Sequence, residues 1–189
     1  MVINYFGNGC FRLQSGETSI LVDSDNNRLK ADVSLKTLAS TDASGVDIEG
    51  TEISFPGEYE VKGIEIIGYQ ITGESTDKFF KTAFAILWED MKFVFLGHLS
   101  KPIDATLMEE FSEPDVLFLP VGGGHFLEPD VAAKIAKQLE ARIIIPSFYK
   151  TPAEFLKAIG KKAEDAEKLV FKQKDIATDK GRVVVLKAA

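Results

Sequence analysis

Cysteine is nearly absent from this chain of 189 residues, with Cys10 the single thiol. No intramolecular disulfide can form, and nothing in the thiol usage points to an oxidising compartment. Histidine is almost as scarce: the chain holds two, His98 and His125, so a metal centre built from several imidazoles has little to draw on. Long apolar runs are missing too. No stretch approaches the roughly 20 apolar residues that span a bilayer, and the opening "MVINYFGNG" lacks a basic region followed by an apolar one. The expectation is a cytoplasmic protein without membrane contact. Basic residues are outnumbered, 22 against 29 acids for a net charge of −7, which repels phosphates on average and excludes a broad nucleic-acid footprint. The local exception, residues 150–174 with seven lysines against four acids, has the spacing of a solvated helix face.

What is present is a well-patterned globular chain, 45% hydrophobic and long enough to bury a full core. The first part reads as short strands broken by turn residues: "VINYF", "CFRLQ", "TSILV", "ADVSL", "EISF" and "YEVKGIEIIGYQI". "TAFAILWED" and "MKFVFLG" flank Glu89 and Asp90 as a further hairpin. After Gly97 the rhythm becomes alternating helix and strand. "PIDATLMEEFS", "PDVAAKIAKQLE" and "TPAEFLKAIGKKAEDAE" read as helices, "DVLFLP" and "ARIIIP" as strands, and "KLVFKQ" and "RVVVLK" close the chain. Without a Pro/Ser-rich linker or low-complexity segment, the prediction is one α/β domain over residues 1–189, with helices covering sheet faces. "STDASGVDIEGTE" and "ITGESTDKFFK" are the expected loops.

Several blocks, in order, resemble the metallo-β-lactamase fold hydrolases, in particular a small branch similar to lactonases and metal-dependent hydrolases. They are "YFGNGCFRLQSGETSILVDSD", "ADVSLKTLASTDA", "SFPGEYEVKGIEIIG", "FVFLGHLSKPID", "DVLFLPVGGG" and "IIIPSFYKTPAEF". The resemblance implies a four-layer αββα sandwich with its active site at one edge of two packed sheets. It also implies one or two metals held by an HxHxDH signature, which falls on Leu38, Ala39, Ser40, Thr41, Asp42 and Ala43. Only the aspartate matches. The family's bridging aspartate falls on His98, its last histidine on Phe148, and a further histidine sought in "GYQITGEST" is absent. A catalytic zinc needs about three protein ligands and an open position for water, which this residue set does not supply in the family's way.

The resulting expectation is a fold that has lost its metal ligands: a non-catalytic binding or structural protein without cofactor, with a small-molecule or protein partner in the old cleft and self-association open. The alternative is an atypical hydrolase of esters, lactones or phosphorylated sugars, using zinc or manganese on Asp42, His98 and Asp23, or a Ser–His pair involving Ser40, Ser100 or Ser147. Candidate catalytic residues are therefore Asp42, His98 and Asp23. Candidate ligand-binding residues are Ser40 and Ser147 together with Gly122 and Gly123, whose Gly-rich turn "PVGGGHF" precedes a helix and can cradle an anion with backbone N–H groups.

Overall fold

The computed structural model describes residues 1–26, 28–42 and 52–189. Among these residues two sheets pack face to face. The first has six strands: β1 (Val2–Tyr5), β2 (Phe11–Ser15), β3 (Thr18–Val22), β4 (Val33–Leu35), β6 (Glu52–Ile53) and β14 (Lys168–Val170), ordered β14-β1-β2-β3-β4-β6. Between β4 and β6 the chain visits the other sheet as β5 (Leu38–Ser40). The second sheet has nine strands: β5 with β7 (Gly57–Val61), β8 (Ile64–Gln70), β9 (Phe79–Trp88), β10 (Met91–Phe95), β11 (Val116–Pro120), β12 (Ile143–Ser147), β13 (Ala163–Ala166) and β15 (Arg182–Leu186). The helices are α1 (Ala105–Glu110), α2 (Pro129–Gln138), α3 (Ala153–Ile159) and α4 (Gln173–Ile176).

Local sequence explains most of these elements. Strands β1 and β2 alternate buried and half-buried residues along antiparallel ladders, as a sheet with one covered face requires, while β3 is buried from Ser19 to Val22. Strands β11 and β12 are apolar but for the terminal Ser147 and buried at every position. They run parallel to each other with β10 and β15 on their flanks, and so are covered on both sides. The β9–β10 hairpin turns at Glu89 and Asp90, both in the left-handed region (φ 53° and 58°), the backbone that a two-residue hairpin favours. Pro129 takes the first turn of α2, where its missing N–H costs nothing.

Helix α3 is shorter than its sequence predicts. Gly160 adopts a left-handed conformation (φ 72°, ψ 31°) and ends the helix. The "AEDA" segment expected to continue it is instead strand β13, laid parallel to β15; edge pairing has overridden helix propensity there.

The core has two parts. Between the sheets, Phe11, Phe93, Phe95 and Phe118 interlock with Ile3, Leu13 and Ile145. The Phe95 and Phe118 rings stack with centroids 3.9 Å apart, and each such ring contributes about 1.5–3 kcal/mol by burial. On the far side of the nine-stranded sheet, α2 buries Ala132, Ala133, Ile135 and Ala136 beside Phe155 and Ile159 of α3. Among the described residues no helix is long and apolar enough to cross a membrane.

Candidate functional site

The site lies where the chain leaves one sheet for the other. Strand β4 ends at Leu35, β5 begins at Leu38, and Thr37 lies between them, its carbonyl accepting from Thr82 N of β9 at 2.9 Å. Strand β3 ends at Val22, and Asp23 follows with positive φ (48°), its amide donating to Leu35 O of β4. The loop after β10 brings in His98. Three strand ends thus deliver Asp23, Thr37 and His98 to one point.

Their hydrogen bonds form a chain. Thr37 N donates to Asp23 Oδ1 at 2.7 Å, Thr37 Oγ1 lies 2.6 Å from Asp23 Oδ2, and the same oxygen lies 2.7 Å from His98 Nδ1. Asp23 and His98 approach each other only to 3.8 Å, beyond hydrogen-bond range. Asp23 is buried, and loss of water pushes its carboxyl upward despite His98 and the Thr37 donors. The same cause lowers the pKa of His98, against the pull of Asp23.

His98 opens on a cleft of two adjoining cavities. One, of about 440 Å³, is lined by Leu38, Phe79, Lys81, Ser100 and Phe126 among others. The second, of about 700 Å³, is lined by Tyr5, Asp25, Gly122, Gly123, Phe148 and Lys150 among others. His98, Gly124, His125 and Phe126 belong to both. Phe148 stands at the cleft with a left-handed backbone (φ 53°), its ring 4.7 Å from that of His98 and 4.4 Å from that of Phe126. It fits because Gly9 and Gly122 face it: a Cβ on Gly9 would meet the ring at 2.0 Å, and one on Gly122 would meet Phe148 O at 1.9 Å.

Opposite His98, Glu74 is sequestered by donors. It accepts from Ser100 N at 3.0 Å, Ser100 Oγ at 2.5 Å, Lys101 N at 2.7 Å and Lys81 Nζ at 2.7 Å. Burial alone would raise its carboxyl, but Lys81, Ser100 and the amides together hold it below the usual carboxylate range. The segment expected as a loop, "ITGESTDKFFK", therefore carries a firmly bonded anchor. Glu74 stands in the region where a histidine was sought, and neither it nor Thr37 and Lys81 carries a sequence signature.

The remaining candidates separate. Ser40 and Asp42 are exposed at the end of β5, where Asp42 N donates to Ser40 Oγ at 3.3 Å, and neither lines the cleft. Ser147 is buried at the end of β12, its carbonyl accepting from Val121 N. Gly122 and Gly123 do line the cleft, but the Gly-rich turn uses its amides internally: Gly123 N donates to Leu127 O and Gly124 N to Glu128 Oε1, both at 3.0 Å. The chain's own carboxylate sits where an anion would bind. Ala43, the last signature position, lies outside the described residues.

Comparison with known proteins gives this arrangement its relatives. The sequence profile of the beta-lactamase superfamily domain matches residues 2–147. A metal-dependent hydrolase of Thermococcus onnurineus is 30% identical over 120 residues, covering 57% of this chain and 54% of that protein. One of Methanopyrus kandleri is 26% identical over 145 residues, covering 68% and 63%. The chain thus matches about half to two thirds of the length of these relatives. A solved Thermotoga maritima chain, described as a candidate Zn-dependent hydrolase of the metallo-β-lactamase superfamily, superposes with a TM-score of 0.79 at 28% identity, covering 98% of this chain and 97% of that one.

These relatives overturn two expectations, that the protein is non-catalytic and that it has no cofactor: they are named as hydrolases, and as metal-dependent ones. The physical reason is visible in the cleft. Leu38, Ser40 and Phe148 stand where the resemblance places histidines, yet the cleft holds a buried carboxylate, a hydroxyl and an imidazole in line. The relatives' metal is a separate matter. Both Asp23 oxygens and His98 Nδ1 are engaged with Thr37, and the described residues contain no group of three His, Cys, Asp or Glu placed to hold an ion. This donor set does not fit the family's metal centre. Its sheets, its profile match and its solved relative agree that the chain belongs to the metallo-β-lactamase superfamily.

Proposed function

We propose that this protein is a hydrolase of uncharged esters or lactones with an apolar acyl part, working at His98. The observation that carries the reading is an imidazole whose Nδ1 is engaged with Thr37 while its ring borders both cavities of the cleft. Burial keeps it neutral at neutral pH, the form a general base needs. In this reading His98 takes a proton from water as the water oxygen bonds to the acyl carbon. The proton then passes to the departing alkoxide as the C–O bond breaks, leaving acid and alcohol.

The cleft favours an apolar acyl group because Leu38, Phe79 and Phe126 line the cavity beside His98, and Phe79 is 49% exposed. Phosphorylated sugars suit it less, since the ammonium in that cavity, Lys81, is already paired with Glu74. Ser100 is a poor nucleophile because its hydroxyl donates to a carboxylate held well ionised by other donors. The named relatives support hydrolysis as the reaction class.

The test is hydrolysis of 4-nitrophenyl acetate, 4-nitrophenyl butyrate and a small lactone by the protein and by His98→Asn, in EDTA and again with Zn²⁺ or Mn²⁺. A fall of about 100-fold or more in the variant, within the range for loss of a general base, supports the reading. Equal rates in both proteins under every metal condition overturn it.

A further inference from the structure

We propose that Thr37 is a positioning residue that fixes which nitrogen of His98 carries the proton, leaving Nε2 as the basic atom. A threonine hydroxyl has one hydrogen to give and lone pairs to receive, whereas an ionised carboxylate only accepts. With Asp23 ionised, the Thr37 hydrogen points to Asp23 Oδ2, 2.6 Å away. Thr37 Oγ1 can then only accept from His98 Nδ1, 2.7 Å away. The imidazole is thereby held as the Nδ1–H tautomer, with its lone pair on Nε2.

Asp23 cannot do this directly, because it lies 3.8 Å from His98 Nδ1. The bridge is also held mechanically. Thr37 N donates to Asp23 Oδ1, Thr37 O accepts from Thr82 N, and Gly97 presses against the threonine so closely that a Cβ there would lie 2.2 Å from Thr37 Cβ. Gly97 immediately precedes His98 and has positive φ (51°), so the contact that locates Thr37 also locates the histidine backbone. When His98 takes a proton on Nε2, both ring nitrogens carry hydrogen and Nδ1–H still points to Thr37 Oγ1. The chain of donors keeps its direction, with the Asp23 charge behind it. If Asp23 were protonated on Oδ2, the two side-chain bonds would reverse while Thr37 N still donates to Oδ1, and Nε2 would become a donor. The position of one proton on Asp23 therefore decides whether the cleft presents a base or an acid.

The role as base rests on the hydrolase reading, while the tautomer does not, and the experiment separates them. ¹⁵N-histidine labelling with NMR at neutral pH reads the tautomer of His98, and Thr37→Val and Thr37→Ser are compared with the unaltered protein. The expected result is Nδ1–H in the unaltered protein and in Thr37→Ser, and loss of that preference in Thr37→Val. For ester hydrolysis, kcat should fall about 10- to 100-fold in Thr37→Val with KM within about twofold, and Thr37→Ser should recover to within about threefold. Nε2–H in the unaltered protein, or an unchanged tautomer in Thr37→Val, overturns the proposal. Should Thr37→Val not fold, the tautomer in the unaltered protein and in Thr37→Ser still decides. Nδ1–H without any hydrolysis sinks the hydrolase reading and leaves the positioning role standing.

Discussion

Two buried carboxylates stand near the same cleft, and they are wired oppositely. Asp23 is served by one residue, Thr37, through its amide and its hydroxyl, and that hydroxyl also meets His98. Glu74 is served by an ammonium, two amides and a second hydroxyl. Burial raises both carboxyls; the donors win at Glu74 and lose at Asp23. A carboxylate saturated with donors is a fastener, because its proton state cannot change without breaking several bonds. One with few donors, joined to an imidazole through a hydroxyl, keeps a proton state that neighbouring chemistry can use.

The largest effect that would break this comparison is expected at Asp23. Asp23→Asn keeps the shape but offers an NH₂ to Thr37, whose hydrogen then turns to His98 Nδ1. Wrong-tautomer changes of this kind cost up to about 10⁴-fold in kcat, so ester hydrolysis should fall at least about 100-fold while the thermal midpoint moves little. An unchanged kcat would place Asp23 among the fasteners.

Glu74→Ala should show the converse. Two amides and Lys81 lose their acceptor, and the loss is about 2–3 kcal/mol of folding stability, read as a lowered denaturation midpoint with an unchanged m-value. The kcat of the folded fraction should stay within about threefold. A collapse in kcat at full stability would move Glu74 into the machinery.

The smallest effect is on pH. His98 acts as base only when unprotonated, and burial lowers its pKa despite Asp23, so kcat/KM should be flat above the ordinary imidazole value of about 6.5 and decline only at lower pH. The charged groups acting on it are Asp23, Lys81, Asp25 and Lys36. Because Asp23 pulls the imidazole upward, any residual activity of Asp23→Asn should decline at still lower pH, and Glu74→Gln should leave the limb in place. Protonation of Asp23, whose carboxyl burial raises, also removes the base, so a limb above 6.5 that survives in Asp23→Asn would contradict the burial argument at His98.

How much of this was legible in the sequence follows from whether the deciding contacts are local. The β9–β10 hairpin and the two apolar parallel strands could be read from neighbouring residues, because turn chemistry and burial pattern act over a few positions. Strand β13 could not, since its partner β15 lies about twenty residues on. The site divides in the same way. His98 and Asp23 stood out as titratable residues in recognisable blocks. Thr37 looked like one polar residue among several in "LKTLAST"; only the crossing between sheets puts its hydroxyl between a carboxylate and an imidazole. Glu74 met Ser100 and Lys101 through bonds spanning 26 and 27 residues, which no local pattern encodes.

Phe148, Gly9 and Gly122 carry one more consequence. Because the aromatic ring occupies the space that any side chain at position 9 would need, these positions behave as a single compound letter of the sequence. Gly9→Ala alone should be costly, and Phe148→Ala alone should leave a hole, but the pair changed together should cost less than the sum. Redesign of this cleft, including any attempt to place a histidine at 148, has to spell that letter whole.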